Sequence, residues 1–217
     1  MLTLISATPS PWARKVRIIL HEKDVEFELL NDIPWSGETC VPRHNPLEKL
    51  PILLTEDGPI YESRLIVEWI ERRFPDPGMI PEEDRFYIAA KTLEVLADGT
   101  LDALLLFNME RNRPQPNAAW SERQLRKVLG GFGEVARRIG GQRYALLDRF
   151  TLADAAIGSM LGAFDMTIEL GRFDELDWRR EYPNLAMYFD GLQQRASFQR
   201  TTPVMFDFDP ARQMHAA

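Results

Sequence analysis

The stretch LTLISATPSPWARKVRIILHEK, residues 2–23, decides how the chain begins to fold. Residues 2–6 form a short apolar run that is typical of a buried strand. Residues 13–23 are basic and amphipathic, with apolar side chains at helical spacing. At the end of this helix, Lys23 is expected to extend its ammonium group into solvent. The stretch therefore predicts a strand and a helix, joined by a turn at residues 10–12.

Ser10 stands where the predicted helix begins. Pro11 suits the first helical position, because its missing N–H would have no partner there, and Ser10 then becomes the N-cap. A helix start gathers unpaired N–H groups and a partial positive charge. Ser10 is therefore either only a cap, or part of a site that holds an anion such as a thiolate. Thr8 is a rival hydroxyl, but it precedes Pro9 and lies off the helix start.

The composition describes a globular protein with room for one large domain or two small ones. Of the 217 residues, 45% are hydrophobic and 27% are charged, which allows a substantial core. The formal net charge of -7 argues against nucleic acid as a partner, since phosphate binding needs a basic patch. The sequence also contains no glycine-rich phosphate-binding loop.

Cysteine and histidine usage predicts neither a disulfide nor a metal site. Cys40 is the single cysteine, which fits a reducing compartment, and its polar, turn-rich surroundings favour a structural or incidental role. The three histidines are scattered without metal-ligand spacing. The first residues lack a signal-peptide pattern, and no apolar run is long enough to span a bilayer. We therefore expect a cytoplasmic protein that is not bound to membranes.

Two differently built regions follow from the pattern of elements. Beyond the first strand and helix, the sequence predicts strands at residues 25–30, 52–55 and 59–61 and a helix that Ser63 caps. The predicted order is β-α-β, a loop, then β-β-α, with a parallel crossover first and a hairpin second.

After a proline-rich linker the strand signals stop and long helical patterns begin. Helices are predicted over residues 85–111, 120–139, from 151 onward and 183–195, and Thr151 and Asp154 form a capping box at the third. The predicted domains are residues 1–75 and 85–217, with residues 76–84 as the linker.

Four motifs occur in a fixed order: SPWARKVR at 10–17, NPLEKLP at 45–51, ES at 62–63 and FTLAD at 150–154. Their order and spacing resemble those of the cytosolic glutathione transferases, in particular bacterial serine-type members, over about residues 1–202. The resemblance implies a thioredoxin-like α/β domain with βαβ-ββα order and a mixed four-stranded sheet. An all-α helical domain would follow it.

For the first motif, the resemblance implies that Ser10 donates a hydrogen bond to the sulfur of glutathione. A free thiol ionises near pH ~8.5, so a donor hydroxyl at a helix start raises the share of reactive thiolate. Ser10 would act as a donor and not as a base. The serine position holds no cysteine and no tyrosine stands near the first strand, which disfavours the cysteine- and tyrosine-dependent classes.

For the next motifs, the resemblance implies a binding site for the rest of the tripeptide. Pro51 matches a cis-proline, although bare statistics favour a trans bond, and Leu50 would pair its backbone with the cysteinyl backbone. Glu62 and Ser63 match the pocket for the γ-glutamyl end, where a plain N-cap is the alternative interpretation. Arg43 and Lys49 fall where relatives place a basic residue near the glycine carboxylate.

The second substrate would be a small hydrophobic electrophile that meets residues of both domains. The apolar candidates are Trp12, Trp35, Leu106 and Met109, with Phe206 and Phe208 from the C-terminal tail. Asp154 matches a structural aspartate of the family.

The implied function is a glutathione S-transferase used in detoxification, which adds the thiolate to an electrophile or reduces a peroxide. The resemblance also implies a homodimer and glutathione as co-substrate, with no metal. A non-catalytic binding or regulatory module and a glutathione-dependent isomerase or dehalogenase stay open as alternatives.

Overall fold

The structure is a computed structural model that describes residues 1–206, and it contains two compact units. The first unit comprises Met1–Gly78 together with the described residues from Arg200 onward, and the second comprises Met79–Gln199. The first unit contains β1 (Leu2–Ser6), α1 (Pro11–Glu22), β2 (Phe27–Asn31), a 3-10 turn (Val41–Arg43), β3 (Ile52–Thr55), β4 (Gly58–Tyr61) and α2 (Ser63–Arg73). The remaining helices are α3 (Asp84–Arg111), α4 (Ala118–Ile139), α5 (Leu152–Glu169), α6 (Trp178–Glu181), α7 (Pro183–Gln193) and α8 (Ala196–Arg200).

The sheet of the first unit is mixed and four-stranded, with the order β2-β1-β3-β4. β1 pairs with β2 in parallel, and β3 pairs antiparallel with both β1 and β4. The predicted fold class is therefore confirmed, including the parallel crossover and the hairpin. β2 is an outer strand of this sheet, and its Leu29 is 44% exposed because the strand has a neighbour on one side only.

Strand register brings four chain segments to one edge of the sheet. Ser6 pairs with Asn31 at the ends of β1 and β2, while Ile52 at the start of β3 pairs with both Ile5 and Tyr61. The segments that follow β1, β2 and β4 and the segment that precedes β3 must therefore lie side by side. We call this boundary, formed by residues 7–10, 32–35, 50–51 and 62–63, the loop edge.

Helix α1 is buried along most of its length. From Ala13 onward its apolar side chains, including Val16 and Ile19, have no exposed surface. Several basic side chains of this helix are also buried. Lys23, just beyond the helix, was predicted to extend into solvent, and this prediction is wrong. Its ammonium group lies 2.7 Å from the carbonyl oxygens of Phe74 and Pro77 and 2.7 Å from a carboxylate oxygen of Glu71. These three acceptors replace the water that the buried charge would otherwise need.

In the second unit, the carboxylate of Asp154 organises the start of α5. It accepts hydrogen bonds from the N–H groups of Ala145 (2.7 Å) and Thr151 (2.8 Å) and from the hydroxyls of Thr151 (2.9 Å) and Tyr188 (2.8 Å). Asp154 has no exposed surface, and this burial raises the pKa of its carboxyl group despite the four donors. These contacts support the structural role predicted for Asp154.

The described part of the chain has neither a membrane-spanning helix nor a cluster of metal-ligating side chains. Over residues 1–206, no helix is both long enough and apolar enough to cross a membrane. Within the same range, no group of three or more His, Cys, Asp or Glu side chains is arranged to hold a metal ion.

Candidate functional site

Ser10 caps α1 and keeps its own proton available. Its backbone is extended (φ -72°, ψ 117°), its N–H donates to the carbonyl of Ala7 at 3.0 Å, and Pro11 occupies the first turn. The Ser10 Oγ accepts a hydrogen bond from the N–H of Ala13 at 3.3 Å. Because a hydroxyl can accept and donate at once, this contact leaves the O–H free to donate outward.

The segment before β3 is held by Asn45, a residue to which the sequence analysis assigned no role. Asn45 is 1% exposed; its side-chain nitrogen donates to the carbonyl of Lys49 at 2.9 Å, and its side-chain oxygen accepts from the N–H of Leu47 at 2.9 Å. The Leu50–Pro51 peptide bond that follows is cis. The sequence signal for the anchoring role of Asn45 is its position directly before a proline, where asparagine side chains often bond to the nearby backbone.

The start of α2 differs from the prediction in one respect. The N-cap is Glu62, not Ser63, and its carboxylate accepts a long hydrogen bond of 3.5 Å from the N–H of Arg64. Glu62 has a φ of 77°, a conformation that costs a non-glycine residue about 1–3 kcal/mol and that clusters at functional sites. The side chain of Glu62 is exposed.

Ser63 is instead the first helical residue, and its hydroxyl takes no part in capping. Ser63 is 2% exposed, and its Oγ has no hydrogen-bond partner among the described residues. A buried hydroxyl without a partner costs about 1–3 kcal/mol, so such an atom calls for an explanation. A ligand that supplies an acceptor or donor beside the start of α2 would provide one.

The two basic candidates are solvent-facing. Arg43 ends the 3-10 turn and Lys49 lies in the loop before Pro51, and both side chains are exposed. Exposed cations of this kind can meet a ligand carboxylate without first losing a protein partner. Their role in binding stays a prediction.

Cys40 has a different environment from that of a reactive thiol. Its Sγ lies 3.0 Å from a carboxylate oxygen of Asp32, which also accepts the Cys40 N–H at 2.9 Å. Burial, with this carboxylate beside it, raises the pKa of the Cys40 thiol. The thiol therefore stays protonated at neutral pH, as expected for a structural cysteine.

The electrophile candidates divide between the two units. Trp12, in the first turn of α1, is half-buried, and Trp35, at the loop edge, is 54% exposed. In the second unit, Leu106 and Met109 lie on α3 with exposed fractions of 38% and 61%. Phe206 is half-buried, and Phe208 lies outside the described residues.

The loop edge thus carries a cap hydroxyl, the starts of two helices and an unpartnered buried hydroxyl. Both helix starts, of α1 and α2, offer N–H groups and a partial positive charge. Such an arrangement is suited to a ligand with more than one anionic group. A thiolate at Ser10 and a carboxylate at Ser63 would each meet a helix start.

Two family models match the chain. One, described as the N-terminal domain of glutathione S-transferase, matches residues 9–73, and one described as the C-terminal domain matches residues 118–191. A relative from Escherichia coli K12, the uncharacterized GST-like protein YibF, is 31% identical over 93% of this chain and 98% of its own length.

Solved structures of similar proteins extend the comparison. A glutathione S-transferase from Methylobacterium radiotolerans, in complex with glutathione sulfonate, is 46% identical with a TM-score of 0.90, covering 96% of this chain and 97% of its own. A glutathione S-transferase from Methylobacillus flagellatus with bound glutathione is 36% identical with a TM-score of 0.88, covering 94% of this chain and 100% of its own.

Proposed function

Because the chain belongs to the glutathione S-transferase family, we propose that it binds glutathione at the loop edge and adds the thiolate to a small hydrophobic electrophile. One observation carries the proposal: the Ser10 hydroxyl accepts from the N–H of Ala13 and has a proton left to donate. Glutathione sulfonate in one solved relative and glutathione in the other support the same class of ligand here.

Ser10 acts on the sulfur as a hydrogen-bond donor. A thiol with a pKa near ~8.5 is about 3% ionised at pH 7, and lowering this pKa by about two units makes about three quarters of it thiolate. The hydroxyl favours the charged form by donating to it, and the partial positive charge of the α1 start acts in the same direction. The acceptor bond from Ala13 polarises the hydroxyl and strengthens it as a donor.

The chemical step then needs no protein base. The thiol proton leaves to solvent water when the bound thiolate forms. The sulfur lone pair then forms a bond to the electrophilic carbon. In a substitution the leaving group departs with its electron pair, and in an addition the product takes a proton from water. Ser10 keeps its proton throughout and releases the sulfur as its negative charge disappears. Catalysis in this scheme consists of supplying thiolate and orienting it.

The rest of glutathione is proposed to bind along the same edge. The N–H and hydroxyl of Ser63 receive the γ-glutamyl carboxylate at the start of α2, and the carboxylate of Glu62 pairs with the γ-glutamyl ammonium group. The backbone of Leu50, before Pro51, pairs with the cysteinyl residue in the manner of an added strand.

Side chains at the two ends of the tripeptide complete the proposal. Arg43 and Lys49 attract the glycine carboxylate from the surface. Trp12 and Trp35 supply apolar surface for the electrophile near the sulfur. That Leu106 and Met109 also contact the electrophile stays a prediction.

The test separates binding from ionisation. Calorimetry should show that glutathione and S-methylglutathione, which has no ionisable thiol, both bind the wild-type protein and Ser10→Ala, within about threefold in Kd. Conjugation of glutathione to a panel of small apolar electrophiles at pH 7 should fall by up to about 25-fold in Ser10→Ala, because the thiolate share drops from about three quarters toward about 3%.

Thr8→Val is the matched control, because it removes the rival hydroxyl at nearly constant volume. It should keep the wild-type rate if Ser10 is the donor. Absence of binding heat for both tripeptides would refute glutathione binding. A full rate in Ser10→Ala, or a loss in Thr8→Val instead, would refute the role of Ser10.

A further inference from the structure

Arg17 is a buried cation on α1 whose side chain extends back toward the loop edge. It is 4% exposed, and its Nη2 donates to the carbonyl oxygen of Thr8 at 3.2 Å. Its Nε is buried without a hydrogen-bond partner among the described residues. Within residues 1–206, the group that faces the guanidinium charge is the carbonyl dipole of Thr8, and burial is the cause of its pKa shift.

This environment is unfavourable for a charge, and the charge persists nevertheless. Burial lowers the pKa of Arg17 to about 10, which still leaves the group protonated at neutral pH. Lys23, just past the end of the same helix, is equally enclosed but contacts a carboxylate and two carbonyl oxygens. Among residues 1–206, therefore, Lys23 has a carboxylate as counter-charge and Arg17 has a carbonyl oxygen instead.

Other charged groups lie along α1 beside Arg17. His21 is half-buried, and burial first, then Arg200 and Arg17, lower the pKa of its imidazole, while Glu22 raises it. Arg14, one turn earlier on the helix, lies 3.5 Å from the hydroxyl of Thr201 through its Nε. An anion at the start of α1 would meet the charge of Arg17 in addition to the partial positive charge of the helix start.

We propose that Arg17 is a positioning residue for the thiolate: it fixes the turn that carries Ser10 through the Thr8 carbonyl, and its charge favours an anionic sulfur beside Ser10. The inference rests on the proposed function and deepens it. The turn is short, because the Ser10 N–H already closes onto Ala7 at 3.0 Å. Anchoring Thr8 inside that closure therefore limits where the Ser10 hydroxyl can lie.

The expected effect can be scaled from the charge alone. For a separation of about 8 Å, the Debye length at physiological ionic strength, and an effective dielectric constant of about 20, a unit charge changes a neighbouring pKa by about 1.5 units before solvent screening reduces the effect. We therefore expect Arg17→Met to raise the pKa of the bound glutathione thiol by about one unit.

The experiment is a pH titration of thiolate absorbance for glutathione bound to each variant. Arg17→Met removes the charge at similar side-chain length, and Arg17→Lys keeps the charge. The control variant, Arg72→Met, removes an exposed charge near the C-terminal end of α2. The thiol pKa should rise in Arg17→Met only, and Arg17→Lys should recover at least half of the change. Thermal unfolding should show Arg17→Met to be no less stable than wild type, because an uncompensated buried charge is removed.

The outcomes are distinguishable from a failure of the proposed function. Absence of glutathione binding in the wild type would overturn that function itself, whereas binding with an identical thiol pKa in wild type and Arg17→Met would overturn only the role of Arg17. If Arg17→Met does not fold, Arg17→Gln takes its place. Loss of folding in both neutral variants would assign Arg17 to folding and overturn the proposal.

Discussion

Two helix starts in this protein each combine a hydroxyl side chain with a carboxylate, but the two pairs make very different contacts. At α5, Thr151 and Asp154 close on each other, and the carboxylate accepts four hydrogen bonds while fully buried. At α2, the acid and hydroxyl are Glu62 and Ser63, where the carboxylate makes one long contact and the hydroxyl makes none among the described residues.

The difference separates a structural helix start from one that can receive a ligand. A saturated carboxylate has no capacity left for another donor, so its contribution is to the free energy of unfolding. An exposed carboxylate and an unpartnered hydroxyl beside strained backbone cost stability in the free protein. A bound ligand recovers that cost, and the sensitivity to mutation should therefore divide between stability at α5 and affinity at α2.

The largest effect is expected from Asp154→Ala. Removing the carboxylate leaves the donors of Ala145, Thr151 and Tyr188 without an acceptor in a closed interior, so the free energy of unfolding should fall by about 3 kcal/mol or more. Urea unfolding measures it. Glu82→Ala, at an exposed acid outside any helix, is the control and should change stability by less than about 0.5 kcal/mol. A loss below about 1 kcal/mol at Asp154 would contradict the account.

An intermediate effect, on binding instead of stability, is expected from Ser63→Ala. It removes the unpartnered hydroxyl, so the affinity for glutathione should fall about tenfold while the thermal midpoint stays level or rises. Thr151→Ala is the reciprocal variant and should lower stability by about 1–2 kcal/mol without changing glutathione affinity. Calorimetry and thermal unfolding of both variants decide it. If Ser63→Ala and Thr151→Ala changed stability and glutathione affinity to the same extent, the distinction between the two helix starts would be contradicted.

The smallest effect concerns pH. Burial raises the pKa of Asp154 above its ordinary value of 3.8, so the folded state binds this proton more tightly than the unfolded state does. The stability advantage of wild type over Asp154→Asn should therefore be largest below the ordinary value of 3.8 and should shrink as pH rises through the folded-state pKa. Urea unfolding of both proteins at about pH 4 and pH 7 measures it. An advantage that grows with pH would place the folded pKa below 3.8.

Local patterns predicted most of the fold and the candidate segments of the site. The apolar run of β1, the Ser10-Pro11 cap and the hairpin signals all act within a few residues, so the order of elements could be derived from the sequence. Strand register then brings the predicted segments to one edge, which periodicity alone does not specify.

The expectations that the structure corrects fail for different reasons, one through distant partners and one through a local backbone angle. Lys23 was expected in solvent because nothing in its own stretch shows the acceptors at Glu71, Phe74 and Pro77. Ser63 was expected to cap α2, but the positive φ of Glu62 shifts the cap by one residue. The burial of Arg17 has no signal in the sequence, because a basic residue in an amphipathic helix is usually solvated.

The most direct test of the central claim is a crystal structure of the protein with glutathione. The account predicts the sulfur within about 3.5 Å of the Ser10 Oγ and the γ-glutamyl carboxylate on the N–H of Ser63. A sulfur that is hydrogen-bonded to the Thr8 hydroxyl, or one that contacts no hydroxyl at the start of α1, would contradict it.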